Sequence, residues 1–417
     1  MGQKADVVII GGGVIGICTA YYLQKAGRQV ILLERDEICS GSSYGNSGLI
    51  VPSHSIPLPA PGVVFQALKW MFNPESPFYI KPRLDLNLMS WLLRFTFNCT
   101  SGRMFASVKT LVELSRASRV LYDQLISEES IRCNYETSGL LMVYRTEEGY
   151  EEGVHEGKLM RDAGLPSKEM KVNDLIKMEP GIRSDIFGGI YYSEDAFLNP
   201  SEFVTALAQV VRDKGVDIRE DIEVIGLDTN SVNGIKVKTS FGDYTCNEVV
   251  LAAGSWSPGI LNGQNINLPV EPAKGYSVTF DTETPLLKHA LILGEAKIGV
   301  NPLGRNLRLA GTLELAGLDL SISTRRVNAV VNSAKRYLNG GDKFTADNVW
   351  AGLRPVTPDG VPIIGRLRSH PNVLVATGHA TIGMTLGPIT GKLVTEILCN
   401  KGQSIDTGLF TPSRFGI

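Results

Sequence analysis

Three glycines near the start of the chain have a spacing that can hold a phosphate group. Gly11, Gly13 and Gly16 fit G-x-G-x-x-G directly after the apolar run 7–10, and a helical pattern follows them. Glycines at these positions permit a tight turn, close approach of a pyrophosphate and close packing of helix on strand. The unpaired N–H groups at the start of a helix attract phosphates. The motif therefore predicts a dinucleotide-binding strand–turn–helix.

An acidic residue follows at the distance that this kind of site requires. Glu34 comes directly after a second apolar run, 30–33, and lies 23 residues after Gly11. A carboxylate there accepts hydrogen bonds from ribose hydroxyls and repels a 2′-phosphate, which disfavours NADP. The small-residue loop 40–48, SGSSYGNSG, comes next. Its place after the second strand favours contact with the cofactor over an ordinary flexible loop.

A second glycine-rich turn lies near the other end of the chain. Residues 377–391, TGHATIGMTLGPITG, follow the apolar run 373–376 and start another helical pattern. A flavin has a use for this second helix start, because its N1–C2=O edge gains negative charge on reduction and helix-end N–H groups stabilise that charge. A nicotinamide has no such need. The two turns therefore favour a flavin, with a plain helix cap as the alternative for the second turn.

Arg354, Tyr276 and His379 are the candidates for substrate chemistry. Arg354 lies in a mostly apolar stretch, where a guanidinium can bind a carboxylate through two parallel hydrogen bonds. An ion pair with Asp359 is its structural alternative. Tyr276 either points into the same cleft or packs, and His379 either contacts the cofactor or satisfies the backbone. No Ser-His-Asp spacing supports nucleophilic hydrolysis.

Composition excludes several classes of function. The 417 residues are 43% hydrophobic and 20% charged, with a net charge of −2 and no basic block, so nucleic-acid binding is not expected. The six cysteines and five histidines are dispersed, which predicts no metal site and a reducing compartment. The N-terminus has no secretory pattern, and no uncharged apolar run reaches 18 residues. These features predict a cytoplasmic location.

The apolar segment 62–98 leaves several readings open. It contains VVFQALKWMF (63–72) and LNLMSWLLRFTF (86–97), which have few charges. Burial of this segment in the core is one interpretation. Contact with a partner, or with the inner face of the membrane, is the other.

The remaining pattern gives the elements that position these residues. A long helix is expected over 104–128 and a strand over 216–225. A hairpin is expected to start at 232–234 and to turn at 241–243, before a buried strand at 249–254. Alternation over 269–313 is typical of an antiparallel sheet.

Six stretches together resemble the D-amino acid oxidase family of FAD enzymes. They are VVIIGGGVIGICTAYYL with Glu34, SGSSYGNSG, AAGSWS (252–257), KGYSV (274–278), GLRPVTPDGVPIIGR (352–366) and TGHATIGMTLGPITG. Their order matches over nearly the whole chain. Residues 46–72 are similar to the D-amino acid dehydrogenase branch, and glycine oxidase is a more distant relative.

The resemblance implies an α/β fold with two domains. A discontinuous Rossmann-like FAD-binding domain is expected to consist of residues 1–60, 190–265 and 350–417. An α+β substrate-binding domain with a mainly antiparallel sheet is expected to consist of residues 61–189 and 266–349, and includes the apolar segment 62–98.

The resemblance also implies contacts to non-covalent FAD from three parts of the chain. No cysteine stands where sarcosine oxidases tether their flavin. The implied contacts are Gly11, Gly13, Val14, Ile15, Gly16, Glu34, Arg35, Ser42, Ser43, Ser47, Gly48 and Leu49, then Val224, Gly254 and Trp256, then Gly378, His379, Ala380, Thr381, Ile382, Gly383, Met384 and Thr385.

The implied activity is oxidative deamination of an amino acid, with a D-amino acid expected, by hydride transfer to flavin N5. Arg354 matches the family's carboxylate-binding arginine, and Tyr276 is a further candidate for substrate binding. Thr381 stands where glycine oxidase has a second arginine, so glycine is a less expected substrate. A quinone or oxygen is the expected electron acceptor.

Rival functions stay open at this point. The same scaffold suits an L-amino acid, an N-substituted glycine, a proline-type imino acid or a 2-hydroxy acid. A flavin-binding subunit without activity of its own is a further alternative.

Overall fold

The computed structural model describes residues 4–71, 76–231, 234–282 and 286–417. Its helices are α1 (Val14–Lys25), α2 (Val63–Met71), α3 (Leu86–Asn98), α4 (Ser101–Glu128), α5 (Glu147–Asp162), α6 (Val172–Met178), α7 (Pro200–Asp213), α8 (Ser257–Ile260), α9 (Thr324–Lys335) and α10 (Gly383–Leu398). Its strands are β1 (Lys4–Ile10), β2 (Val30–Leu33), β3 (Leu49–Ile50), β4 (Phe78–Ile80), β5 (Leu140–Tyr144), β6 (Lys168–Lys171), β7 (Gly188–Tyr192), β8 (Ala196–Phe197), β9 (Asp217–Arg219), β10 (Val224–Asp228), β11 (Ile235–Thr239), β12 (Tyr244–Leu251), β13 (Glu271–Asp281), β14 (Ala290–Leu293), β15 (Ile298–Leu303), β16 (Asn306–Leu315), β17 (Val349–Val356), β18 (Ile363–Arg366) and β19 (Val373–Thr377).

One sheet of eight strands joins the two ends of the chain. Its order is β10-β11-β12-β1-β2-β9, and β19 pairs with the end of β12 and with β18. Strands β19, β12, β1, β2 and β9 pair in parallel in this order, with β9 at the edge. Residues on both faces of β1 and β2 are buried, as expected for parallel strands with cover on both sides. One face packs on a core shared with α1, α7 and α10.

A second sheet of nine strands is mostly antiparallel. Its order is β17-β13-β16-β15-β14-β5-β7-β6, and β4 pairs with β16. Two pairs, β14 with β5 and β16 with β4, are parallel. Helix α9 covers one face of this sheet, where its Val327, Val330 and Val331 join the core. The α/β fold class with a mainly antiparallel second sheet is therefore confirmed.

Most predicted elements are present, and one is wrong. The helix predicted over 104–128 is α4, which begins three residues earlier. The strand predicted over 216–225 is instead β9 and the start of β10. Asp221 between them has a φ of 58°, a left-handed conformation that ends an extended strand. The hairpin turn falls between β11 and β12 as predicted, while Val232 and Asn233 lie outside the described residues.

The predicted division into two domains stays a prediction. Its boundaries at 190 and 350 fall inside β7 and β17, and both strands belong to the nine-stranded sheet. Because β17 carries the candidate substrate residue Arg354, that residue lies on the second sheet.

The apolar segment 62–98 packs less than the buried reading requires. Helix α2 has no buried residue, and α3 buries only Leu88 and Trp91. Phe72 lies outside the described residues. Among the described residues, no helix has both the length and the apolar character needed to cross a membrane.

Candidate active site

A cavity of about 420 Å³ lies between elements from both ends of the chain. Its walls include the turn after β1, the ends of β2 and β12, the start of α10 and the end of β17. In a parallel sheet the carboxyl ends of neighbouring strands share one edge, and ligands bind there. The two glycine-rich turns are therefore brought together, although more than 360 residues separate Gly11 from Gly378.

Two glycines of the first turn have no room for a side chain. Gly11 has a φ of 110°, and a Cβ built on it would lie 2.6 Å from the carbonyl oxygen of Ala252. A Cβ on Gly16 would lie 1.9 Å from the carbonyl oxygen of Gly11. The N-cap residue of α1, Gly13, supplies no side-chain cap, but the Val14 N–H donates to the Ser43 hydroxyl at 3.0 Å. The other N–H groups of the first turn are therefore the ones available to a pyrophosphate.

Glu34 fixes the turn as well as facing the cavity. Its carboxylate accepts hydrogen bonds from the backbone N–H of Gly12 at 2.6 Å and of Asp36 at 3.0 Å. Each carboxylate oxygen keeps acceptor capacity for a ribose hydroxyl. The Arg35 guanidinium lies 5.0 Å from the centre of the Trp256 ring, and both residues line the cavity.

The C-terminal turn presents a second helix start with no side-chain cap. His379 lines the cavity beside it, and its Nε2 lies 3.0 Å from the Thr390 hydroxyl. Burial lowers the pKa of His379 to about 3, so this imidazole is neutral at physiological pH. The positive end of α10, and not an imidazolium, is therefore the source of positive potential at this turn.

Arg354 is the cation of the cavity on the side of the second sheet. Its Nη1 donates a 2.8 Å hydrogen bond to the carbonyl oxygen of Thr312. Burial lowers the pKa of Arg354 to about 10, so it stays protonated at neutral pH. The alternative ion pair with Asp359 is wrong, because Asp359 pairs with Arg414 at 2.6 Å. Among the described residues, no carboxylate lies within 4.0 Å of the Arg354 guanidinium.

Tyr276 does not share this cleft. In the β13–β17 ladder Tyr276 pairs with Ala351, whereas Arg354 pairs with Ala273. Because neighbouring residues of a strand point to opposite faces, Tyr276 and Arg354 lie on opposite faces of the sheet. The Tyr276 hydroxyl donates to the Glu314 carboxylate at 3.0 Å and is buried with the α9 core. The expectation that Tyr276 points toward the substrate is therefore wrong.

The remaining predicted contacts divide into two groups by position. The cavity is lined by Gly11, Gly13, Val14, Ile15, Glu34, Arg35, Ser42, Ser43, Val224, Gly254, Trp256, His379, Ala380, Gly383 and Met384. The other group does not line the cavity and comprises Gly16, Ser47, Gly48, Leu49, Gly378, Thr381, Ile382 and Thr385. Thr385, for example, bonds the backbone of Leu49 and Val51 and so ties the start of α10 to β3.

Several lining residues were not predicted from the sequence. Ile222, Glu223 and Ile225 line the end of the cavity near Val224. Ile222 and Glu223 lie in the link before β10, and Ile225 lies in β10 itself, so no local signal in the sequence marks them. Asn46 lies in the predicted loop and Pro355 follows Arg354 directly, so the sequence carries a local signal for both.

These features fit FAD. Two helix starts whose N-cap residues supply no side-chain cap face one cavity, and Glu34 at the end of β2 bonds a glycine turn that has no room for side chains. The fold and the site together define a flavin-dependent oxidoreductase built on two sheets. Among the described residues, no group of three potential metal ligands was found.

Comparisons with known proteins agree with this class. The family model described as "FAD dependent oxidoreductase" (DAO) matches residues 6–397. The chain belongs to this DAO family of FAD-dependent oxidoreductases. It is 32% identical over 417 residues to a protein named D-amino acid dehydrogenase from Allorhizobium ampelinum, covering 98% of each chain. It is 34% identical over 406 residues to one of the same name from Phenylobacterium zucineum, covering 96% of this chain and 95% of the other.

A solved structure gives the same fold. Glycine oxidase from Geobacillus kaustophilus superposes with a TM-score of 0.81 at 23% identity, covering 99% of each chain. At this identity the similarity concerns the fold alone.

Proposed function

We propose that this protein catalyses FAD-dependent oxidative deamination of a D-amino acid. The observation that carries the proposal is the Arg354 guanidinium, which lines the same cavity as both flavin-binding turns and has no carboxylate partner among the described residues. A substrate carboxylate would supply that partner. The names of the curated relatives, D-amino acid dehydrogenase, support the substrate class and the D configuration.

The chemistry balances as a two-electron oxidation. The substrate loses a hydride from Cα while the amine lone pair forms the C=N bond and one N–H proton leaves. Water then adds to the imino acid, and the loss of ammonia gives a 2-oxo acid. FAD, when bound, supplies the hydride acceptor at N5.

Arg354 supplies orientation in this scheme. Its planar guanidinium binds the carboxylate through paired N–H···O bonds. The substrate's Cα–H bond is thereby held in one orientation. Because the neutral amine provides the electron pair, the scheme needs no strongly basic side chain. Burial lowers the pKa of His379 to about 3, so this imidazole is only a weak base, in agreement with the scheme.

Arg354→Ala tests the role of this residue. Loss of a buried, charge-assisted carboxylate contact costs about 2–5 kcal/mol, which corresponds to a rise in KM of roughly 30-fold or more. FAD content should be unchanged. Arg354→Lys keeps the charge but not the planar guanidinium, so its KM should lie between those of wild type and Arg354→Ala. Unchanged KM in Arg354→Ala would remove the guanidinium from the substrate site.

The substrate class is tested by anaerobic bleaching of the flavin. The panel contains D-amino acids, L-amino acids, N-methyl amino acids, proline-type imino acids and 2-hydroxy acids. Rapid bleaching by D-amino acids supports the proposal. Bleaching by one of the other classes alone would replace the proposed substrate, and no bleaching without a second protein would favour a non-catalytic subunit.

We infer that electrons leave to a quinone at a membrane surface. The outward side of α3 exposes Leu86, Met89, Leu93 and Phe97, with 88%, 56%, 60% and 73% of each residue accessible. Three nearby basic residues favour anionic lipid headgroups: Lys69 in α2, Arg94 in α3 and Arg103 in the first turn of α4.

The inward side of α3 faces the cofactor region. Trp91 donates a 3.2 Å hydrogen bond to the carbonyl oxygen of Val356 and belongs to the cluster against which Ala380 packs. Contact of α2 and α3 with the inner face of the membrane would thus place a lipid-soluble acceptor beside the flavin-binding turn. Equal rates with oxygen and with a ubiquinone analogue would contradict this acceptor.

A further inference from the structure

Gly275 lies directly opposite Gly352 in the pairing of β13 with β17. The φ of Gly275 falls outside the left-handed region, so its backbone conformation does not require glycine. Gly275 is also in the interior of a buried strand, where glycine is ordinarily unfavourable. A reason other than conformation must therefore account for glycine at this position.

The space above Gly275 is filled by the Arg354 guanidinium. A Cβ built on Gly275 would lie 1.7 Å from Nη1, 2.4 Å from Cζ and 2.5 Å from Nη2 of Arg354. Arg354 belongs to the neighbouring strand and pairs with Ala273, so its side chain crosses diagonally onto Gly275. Any side chain at position 275 would occupy the place that the guanidinium now holds.

A bulge in β16 holds the other side of this guanidinium. The β13–β16 register shifts between Lys274 and Tyr276, which pair with Glu314 and Gly311. Thr312 lies in the bulge with a φ of 69°, a strained conformation for a β-branched residue. Its carbonyl oxygen accepts the hydrogen bond from Nη1 of Arg354. Bulges commonly re-aim groups next to active sites.

We propose that Gly275 and the bulge at Thr312 are positioning elements that fix the Arg354 guanidinium for carboxylate binding. Gly275 supplies the space, and the Thr312 carbonyl sets the orientation of one N–H group. The other N–H groups are left for the substrate. This inference rests on the proposed function, because it assigns these residues to the arginine that the proposal places on the carboxylate.

The experiment is a double-mutant cycle between Gly275→Ala and Arg354→Ala. The readouts are FAD content, kcat and KM for the amino acid that bleaches the flavin fastest. Gly275→Ala should retain FAD and raise KM at least 10-fold, with a smaller change in kcat. In the Arg354→Ala background, Gly275→Ala should change KM by less than about 2-fold, because residues that act as one unit are not additive.

Gly226→Ala is the matched control. Gly226 is also a strand glycine, and a Cβ built on it meets no atom within 4 Å. It should leave KM unchanged in both backgrounds.

The variant Arg354→Lys keeps the cycle informative if Gly275→Ala folds poorly. Lysine at position 354 has no planar group to collide with a methyl at position 275. Arg354→Lys and the double variant Gly275→Ala/Arg354→Lys should therefore have KM values within about 2-fold of each other.

Three results would overturn the inference. One is an unchanged KM in Gly275→Ala while Arg354→Ala raises it. A second is multiplication of the two effects in the double variant. A third is a KM more than 5-fold higher when Gly275→Ala is added to Arg354→Lys. An unchanged KM in Arg354→Ala would instead reject the carboxylate role itself, and with it this inference.

Discussion

Asp195 is a buried carboxyl group that forms no salt bridge among the described residues, although the charge of Arg119 lowers its pKa slightly and that of Glu194 raises it. It is fully buried, and its carboxylate accepts hydrogen bonds from the backbone N–H of Ser53 at 3.1 Å and from the Ser53 hydroxyl. Burial raises the pKa of Asp195 to about 7 against an ordinary value of 3.8. Because the folded state holds this proton more tightly than the unfolded state, Asp195 stabilises most below about pH 4. That stability is lost as the pH rises through 7.

Asp195→Asn should remove this pH dependence. A shift of about three units corresponds to roughly 4 kcal/mol as an upper bound, and an amide keeps the shape and can bond the Ser53 hydroxyl. The Tm of the variant minus that of wild type should therefore increase from pH 5 to pH 7 and level off by pH 8. Thermal melts at four pH values measure it, with the exposed Asp281→Asn as control. A difference that stays constant over this range would show that Asp195 is ionised in the folded protein.

Residue type alone indicated the chemistry of Arg354, but not that of Tyr276. An arginine between apolar residues and prolines has few structural uses, and the resemblance strengthened its role. The face of a strand to which a residue points depends on the parity of the ladder, and no local signal fixes that parity before the pairing is known. The sequence therefore identified Arg354, which does line the cavity and whose substrate role stays a prediction, and it placed Tyr276 on the wrong face of the sheet.

At the scale of elements, the positions of helices α1 and α10 depend on each other. A Cβ built on Gly391 of α10 would lie 2.5 Å from the carbonyl carbon and oxygen of Cys18 in α1. A Cβ on Gly387 would lie 2.7 Å from a methyl group of Val14. The helices thus approach at backbone distance, and a change in their separation moves both helix starts.

Gly391→Ala should destabilise the protein and weaken FAD binding together. The clash is with backbone, so one helix must shift, at a cost of about 1–3 kcal/mol. Urea unfolding and the FAD content after gel filtration measure the two effects. Gly102→Ala is the control, because a Cβ there meets no atom within 4 Å and alanine favours the helix. Lower stability with full FAD retention would contradict the coupling of the two helices.

The outward stripe of α3 has the spacing of one helix face. Leu86, Met89, Leu93 and Phe97 recur at intervals of three or four residues, and each is more than half exposed. Burial of such side chains contributes about 1.5–3 kcal/mol each, so a lipid surface would gain several kcal/mol from the stripe.

A triple variant, Leu86→Gln, Leu93→Gln and Phe97→Gln, should lose association with vesicles that contain anionic lipid. Because these residues are exposed, Tm and the rate with a water-soluble acceptor should stay close to wild type. Cosedimentation measures binding, and Phe241→Gln, at the β11–β12 turn, is the control with 78% exposure. Unchanged sedimentation of the triple variant would remove α3 from the proposed membrane surface.

Element types were mostly predictable, because long periodic segments such as α4 and α10 carry strong signals. The split between β9 and β10 was not, since its cause is a left-handed Asp221 and not a glycine or a proline. The exposure of α2 and α3 was not predictable either. A run of apolar residues looks the same in sequence whether it faces a core or a surface.

At the scale of the molecule, the cofactor cavity is shared by segments that are distant in the chain. Its lining comes from residues 10–46, 222–260 and 354–384. The nine-stranded sheet meets this cavity chiefly through the end of β17, and its core with α9 is separate. FAD should therefore stabilise the first sheet and its turns more than the second sheet.

Removal of FAD should loosen the protein unevenly. A ligand that binds only the folded state stabilises it by about 2.7 kcal/mol at 100 times its Kd, so the apoprotein should melt at a lower temperature. Amide hydrogen exchange should rise in residues 41–48 and 376–384, where the turns lose their contacts. Exchange in β13 to β16 should change little, because those strands pair with each other and with α9. Mass spectrometry of peptides from matched apo and FAD-loaded samples measures the exchange in the turns and in these strands. An equal rise in exchange across both sheets would mean that the two sheets unfold as one unit. No rise in exchange in residues 41–48 or 376–384 would place FAD elsewhere.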